Sequence, residues 1–199
     1  MDRRQLMTWG AVLLASGWPL RGRAQIEPSD DGLYKQPFFL DSFLELGDDL
    51  QQAASEGKGL VVLFEQRGCP YCREMHLVNF ARPEITDYLQ AHFQVVQLDL
   101  WGSRAVLDLD GEELEERDLA RKWYVNFTPT QVIFPADAAG SADARTAEAF
   151  RLPGYFKPFH HLSALEYVAE GAWRDQPFQR YLQDKFAELQ AQGVDPDVW

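Results

Sequence analysis

The chain has 199 residues, 46% of them hydrophobic and 13% aromatic, and a formal net charge of −12. That length and apolar content support one buried core with added segments and exclude a disordered or fibrous chain. The acidic balance argues against nucleic acid or an anionic lipid surface as a partner.

The N-terminal segment differs from the rest. Arg3-Arg4 precede an apolar stretch from Leu6 to Leu20, interrupted by Trp18-Pro19, and Gly22-Arg23-Ala24 closes it with a small-x-small pattern. This layout predicts an export signal over 1–24, cleaved near Ala24, and a periplasmic destination. The run is too short and too broken for a stable membrane span. The paired arginines suit a twin-arginine signal and the general secretory route equally. Residues 25–37, with Pro28, Ser29, Asp30, Asp31, Gly32 and Pro37, show no apolar period and predict a flexible leader with little order.

From Ser42 the spacing predicts a helix, with Phe43, Leu46, Leu50 and Ala53 or Ala54 on one face and Ser42 with Glu45 as a capping box. Gly57 and Gly59 end it. The continuous apolar run Leu60–Phe64 suits a central strand covered on both faces.

Directly behind it comes Gly68-Cys69-Pro70-Tyr71-Cys72-Arg73, which holds the only two cysteines. Thiols at this spacing can close a small disulfide ring at the first turn of a helix, where unpaired backbone N–H groups and the helix dipole favour a thiolate on Cys69. Pro70 suits that turn because it has no N–H to leave unpaired. A strand leading into such a turn and then a helix is the thioredoxin-type redox context. A closed zinc site would need about four ligands, and the nearby extra candidate is His76, so no metal is expected. A purely structural bridge over so short a loop would remove little chain entropy.

Arg73 to Phe80 should continue as helix, with a break near Ala81-Arg82 and a fresh start at Pro83-Glu84-Ile85. Phe93 to Leu100 alternates as a strand, and strand, helix, strand at this spacing implies a parallel right-handed crossover. Residues 102–118 read as an acidic, solvated loop. A calcium-loop register on Gly111 fails, because it places Val106 and Arg117 where carboxylates are required. A helix through Leu119, Ala120 and Trp123 follows. Tyr124 to Phe134 then reads as β-like but carries Thr128-Pro129-Thr130 in its middle, and proline inside a strand marks an edge, a bulge or a cis turn. With the Cys pair upstream, Pro129 is assigned as a cis proline packed against the disulfide, leaving neighbouring backbone groups free to pair with an extended substrate; the other reading is a trans proline at a strand start. Residues 135–147 form a loop, and 148–152 a last strand in a hairpin with 131–134. Phe159, Leu162, Leu165 and Val168 mark one amphipathic helix, and Phe178, Tyr181, Leu182, Phe186 and Leu189 another. One domain over 38–190 results, with a tail at 191–199.

Phe64-Glu65-Gln66 through Cys69-Pro70-Tyr71-Cys72, Pro83-Glu84-Ile85, Val96-Gln97-Leu98-Asp99, Asp110-Gly111, Leu119-Ala120-Arg121-Lys122, Thr128-Pro129-Thr130, Leu152-Pro153-Gly154-Tyr155 and Phe178-Gln179-Arg180-Tyr181-Leu182 together resemble the exported thioredoxin-like proteins of the SoxW type, associated with bacterial sulfur oxidation. The resemblance implies an α/β thioredoxin fold: a central mixed sheet flanked by helices, with an acidic insertion before the cis-proline strand and an extra C-terminal helix. It also implies a periplasmic thiol-disulfide reductase acting on oxidised cysteines of partner proteins and kept reduced by a membrane thiol-electron carrier. Pro70-Tyr71 resembles glutaredoxins and a periplasmic disulfide isomerase too, but the length and the missing dimerisation segment fit both badly.

Ordinary thioredoxins carry a buried aspartate and a tryptophan where this chain has Leu63 and Glu65. Glu65 is therefore the candidate proton relay for the second cysteine, against an equal reading as a solvent-facing acid at a strand end. Cys69 would attack a partner's disulfide and Cys72 would resolve the mixed disulfide, with Arg67 and Arg73 favouring the Cys69 thiolate and Glu74 opposing them. Pro70, Tyr71, Thr128 and Pro129 would line the substrate site. His76 could face Cys72, although a helix-surface position is the commoner outcome, and His160-His161 has no recognisable role. No cofactor beyond the redox disulfide is implied, and a monomer is the default. The alternatives are an isomerase or oxidase, or a non-catalytic module that binds an extended peptide.

Overall fold

The computed structural model describes residues 27–196; the expected signal segment 1–24 and the last residues of the tail fall outside them. The apolar run forms β1 (Gly59–Glu65), and every one of its residues is buried. It lies between β2 (Phe93–Asp99), to which it is parallel, and β5 (Thr130–Phe134), to which it is antiparallel. β5 pairs antiparallel with β6 (Phe150–Pro153), giving the order β2-β1-β5-β6. A strand in the middle of such a sheet has both faces covered, which is why its sequence does not alternate.

Side chains of β1 still alternate between two cores. Leu60, Val62 and Phe64 pack with Leu46 and Leu50 of α1 (Leu46–Ser55) and Leu119 and Ala120 of α4 (Glu116–Lys122). Val61 and Leu63 pack on the other side with Ile85 and Leu89 of α3 (Pro83–His92) and Leu162 and Leu165 of α6 (Pro158–Ala169). The cysteine-bearing helix α2 (Pro70–Glu74) belongs to that second side and runs on into a π-helical turn, Met75–Asn79. The chain breaks at Ala81-Arg82, and Pro83 opens α3 as expected. A final helix, α7 (Phe178–Ala191), packs on α6. This is the α/β thioredoxin fold, a mixed sheet flanked by helices.

Several local expectations differ. The first helix starts at Leu46, because Leu44 takes a left-handed φ of +64° that cannot continue a helix. Ser42 caps no helix; its hydroxyl accepts from the Leu44 N–H at 2.7 Å and donates to Asp49 at 2.5 Å, holding a turn that leaves Phe43 95% exposed. The acidic insertion is no loose loop. It folds into a hairpin of β3 (Ala105–Leu107) and β4 (Glu113–Glu115), with Gly111 at φ +82° in the turn and Val106 buried in the core. Lys122 gathers Asp108, Asp110 and Glu112 within 2.8 Å, and Asp108 also accepts from the indole N–H of Trp123 at 3.2 Å, so three of the carboxylates that suggested a solvated loop are drawn together on one ammonium. Finally, β5 begins only at Thr130, after an irregular approach in which Tyr124 has φ +55°. The loop expected at 135–147 ends in a short helix, α5 (Ala144–Ala147).

The described part of the leader, 27–37, carries no helix or strand, yet its contacts exceed what its composition suggested. Leu33 is buried, the Ser29 and Asp31 side chains bond to the turn around it, and Leu40 donates its N–H to Val95 at 2.8 Å. The segment is a strap across the edge of the sheet beside β2.

Candidate redox site

β1 delivers the chain to the site, and Gly68, at φ +72°, makes the left-handed step that turns it into α2. Cys69 is the N-cap residue of that helix, Pro70 follows at its first position, and the Cys72 N–H donates to Cys69 Sγ at 3.0 Å. The two cysteines form a disulfide; Cys69 is 4% exposed and Cys72 1%. Opposite them, the Thr128–Pro129 peptide is cis, as the sequence suggested, and the Thr128 hydroxyl donates to Cys69 Sγ at 3.4 Å. Pro129 is buried, and its carbonyl accepts the N–H of Gly154 at 2.7 Å. Tyr71 is 62% exposed and stacks on Tyr155 at 6.4 Å. The exposed Trp101 and Phe127 flank the site, Trp101 through its indole bond to Gln66 at 2.7 Å and Phe127 as the neighbour of Thr128. Arg67, expected to support the thiolate, instead donates to the strap carbonyl of Asp31 at 3.1 Å.

Beneath the disulfide lies a polar layer between sheet and helix. Glu65 shares the β1 face that carries Val61 and Leu63, so it points toward the redox helix and is 1% exposed. The reading as a solvent-facing acid is thereby overturned. His76, one turn beyond Cys72, is fully buried rather than on the helix surface, and its Nε2 lies 3.1 and 3.2 Å from the two Glu65 oxygens. Gln97 of β2 also donates to Glu65. A second network lies alongside: His161 of α6 pairs with Gln131 of β5 at 3.0 Å and with Asn79 at 2.8 Å. In sheet register, Leu63 sits between Gln97 and Gln131. The polar groups missing from position 63 are thus supplied by its neighbours in the sheet.

Residues 46–169 match the family model of the thioredoxin-like domain. The chain belongs to that family. Among solved structures it is similar to a thioredoxin from Thermus thermophilus, with 27% identity over 62% of this chain and 83% of that one and a TM-score of 0.49. A thioredoxin-fold protein from Helicobacter pylori matches at 22% identity over 66% and 81%, with a TM-score of 0.48. The C-terminal domain of Neisseria meningitidis DsbD in its oxidised form matches at 19% identity over 62% and 92%, with a TM-score of 0.43. No curated protein matches.

In this thioredoxin-like domain the predicted residues Cys69, Pro70, Tyr71, Cys72, Thr128 and Pro129 converge on one site, with Tyr71 exposed and the two cysteines and Pro129 buried. Two donors, a backbone N–H and a hydroxyl, meet at Cys69 Sγ, so negative charge left there on opening the disulfide is stabilised in place. The sequence reading gives Gln97, Trp101 and Phe127 no part in the site and finds no role for His161, whereas it names His76 as able to face Cys72. The pairing of His76 with Glu65 was legible as well: His76 lies four residues after a cysteine on a helix, and Glu65 is on the strand face turned toward that helix.

Proposed function

We propose that this thioredoxin-like chain is an exported thiol-disulfide oxidoreductase that reduces disulfides or oxidised cysteines on partner proteins. The observation that carries the reading is the Cys69–Cys72 disulfide at the head of a helix, with the Thr128 hydroxyl against Cys69 Sγ and exposed aromatic rings around it. In the reduced protein the Cys69 thiolate attacks one sulfur of the partner's disulfide. A bond forms between Cys69 and that sulfur, and the partner's other sulfur leaves as a thiolate and takes a proton. Cys72 loses its proton and attacks Cys69 Sγ, which closes the Cys69–Cys72 bond and releases the second partner sulfur. Two electrons pass to the partner. A dithiol carrier in the membrane returns the chain to its reduced form.

Glu65 is the acceptor we assign for the Cys72 proton, supported by its burial and its bond to His76, one turn from Cys72. Pro70, Tyr71, Thr128 and Pro129 hold the extended segment around the attacked disulfide. The N-terminal sequence supports a periplasmic site of action, and the motif set running from Phe64 to Leu182 supports the SoxW type.

Trapping tests the assignment. Cys72→Ala, expressed in the native compartment, accumulates mixed disulfides through Cys69, and wild-type protein reduces insulin with dithiothreitol as the electron source. Cys69→Ser retaining full reducing activity would overturn the reading.

A further inference from the structure

The strap precedes the stretch matched by the family model, which begins at residue 46, yet three of its consecutive residues reach the polar layer beneath the disulfide. The Gln97 side-chain amide donates to the Tyr34 carbonyl at 2.7 Å and accepts from the Lys35 ammonium at 2.7 Å. A carbonyl can only accept and an ammonium can only donate, so the strap permits one orientation of that amide. Its remaining N–H then faces Glu65, and the carboxylate oxygen there is an acceptor. On the other side, Gln36 Nε2 lies 2.9 Å from His76 Nδ1. An amide N–H pointing at Nδ1 needs a lone pair there, which leaves the single ring proton on Nε2, between the two Glu65 oxygens.

We propose that the strap residues Tyr34–Gln36 are part of the redox site, holding the buried Glu65–His76 pair as carboxylate and neutral imidazole, with Gln36 as the positioning residue for His76. An imidazolium would set N–H against N–H at Gln36, and a proton on Glu65 Oε1 would turn one of the two oxygens facing the His76 Nε2–H into a donor. Rings of Tyr34, Phe39 and Phe80 surround the imidazole, at 5.5, 5.8 and 5.2 Å between centroids, and keep the pair apart from solvent. The charged groups around it are few. Lys35 is paired with Asp31 at 3.0 Å, Arg104 reaches the Gln97 carbonyl at 3.2 Å while paired with Glu116, and Asp99 is the register neighbour of Glu65 on β2. The strap thus preserves an ionised proton acceptor next to the redox helix. That consequence rests on the oxidoreductase reading, whereas the charge state itself does not.

The full chain, with its histidines labelled with heavy nitrogen, tests this by NMR at neutral pH. Wild-type His76 should show the Nε2–H tautomer; an Nδ1–H tautomer or a doubly protonated ring overturns the proposal without any variant being made. Gln36→Leu, which takes the donor away from Nδ1, should keep the Nε2–H tautomer but move the Nδ1 resonance to that of an unbonded ring nitrogen, and Gln36→Glu should give a doubly protonated ring. Gln36→Leu should also slow reduction of the Cys69–Cys72 bond by dithiothreitol about fivefold, the loss expected of one buried hydrogen bond. A Gln36→Leu spectrum identical to wild type refutes the positioning role. Failure to reduce any protein disulfide would remove the redox reading and leave the tautomer result standing.

Discussion

Replacing Thr128 with valine removes one hydroxyl from the site and almost nothing else. Valine has the same branched shape and accepts the extended backbone required before a proline. The hydroxyl donates to Cys69 Sγ at 3.4 Å, beside the shorter donation from the Cys72 N–H at 3.0 Å. A bond of that kind to a charged sulfur contributes about 1 kcal/mol, so the thiolate fraction of reduced Cys69 should fall about fivefold where most of it is protonated. The less stabilised thiolate is also the better nucleophile, which with a Brønsted coefficient of about 0.45 recovers about twofold. The net expectation is a rate loss of about two- to threefold toward a small disulfide, with the thiolate titration moved to higher pH. Ultraviolet titration of the reduced protein and stopped-flow reaction with an aromatic disulfide measure the two quantities, and Thr128→Ser should restore both. A Thr128→Val protein that titrates with wild type, or reacts faster, would show that the hydroxyl does not face the thiolate.

Two further expectations concern stability. Burial pushes the His161 pKa down from 6.5 to about 4, so the unfolded chain takes up a proton there before the folded one does. Stability from this group is complete above about 6.5 and falls as the pH drops toward about 4, by up to roughly 3 kcal/mol; urea unfolding across that window should show a shallower slope for His161→Gln, and an unchanged slope would rule the imidazole out as the source. At Gly102 an added Cβ would collide with the buried carboxylate of Glu116, which accepts N–H bonds from Asp99 at 2.8 Å and Arg104 at 3.3 Å. Gly102→Ala should therefore cost about 2 kcal/mol through lost acceptance at those amides, read as a lowered thermal midpoint; an unaltered midpoint would mean that the carboxylate can leave its pocket freely.

Local pattern made much of the disulfide site legible. A Cys pair after an apolar run, a proline at the head of the helix, a second proline interrupting a strand and a third reopening the helix at Pro83 each bear on backbone geometry within a few residues. What misled was equally local. Ser42 and Glu45 look like a cap, but the Ser42 hydroxyl holds a turn with a left-handed Leu44, and that conformation leaves no trace in residue spacing. The acidic count over 102–118 suggested solvation because the pairing of Lys122 with three carboxylates depends on the hairpin that brings them together.

By itself, the order of residues determined the strand, the two sulfurs at the start of a helix and the proline turn, because each follows from alternation, backbone restriction and the chemistry of neighbouring groups. Only the tertiary structure decided what lies beneath the disulfide. Glu65, His76, Gln97 and Gln36 come from two strands, a helix and a strap, and the strap meets Gln97 through Tyr34 and Lys35 and His76 through Gln36. A buried charge can be carried there only when every partner arrives, and no stretch of sequence contains them all.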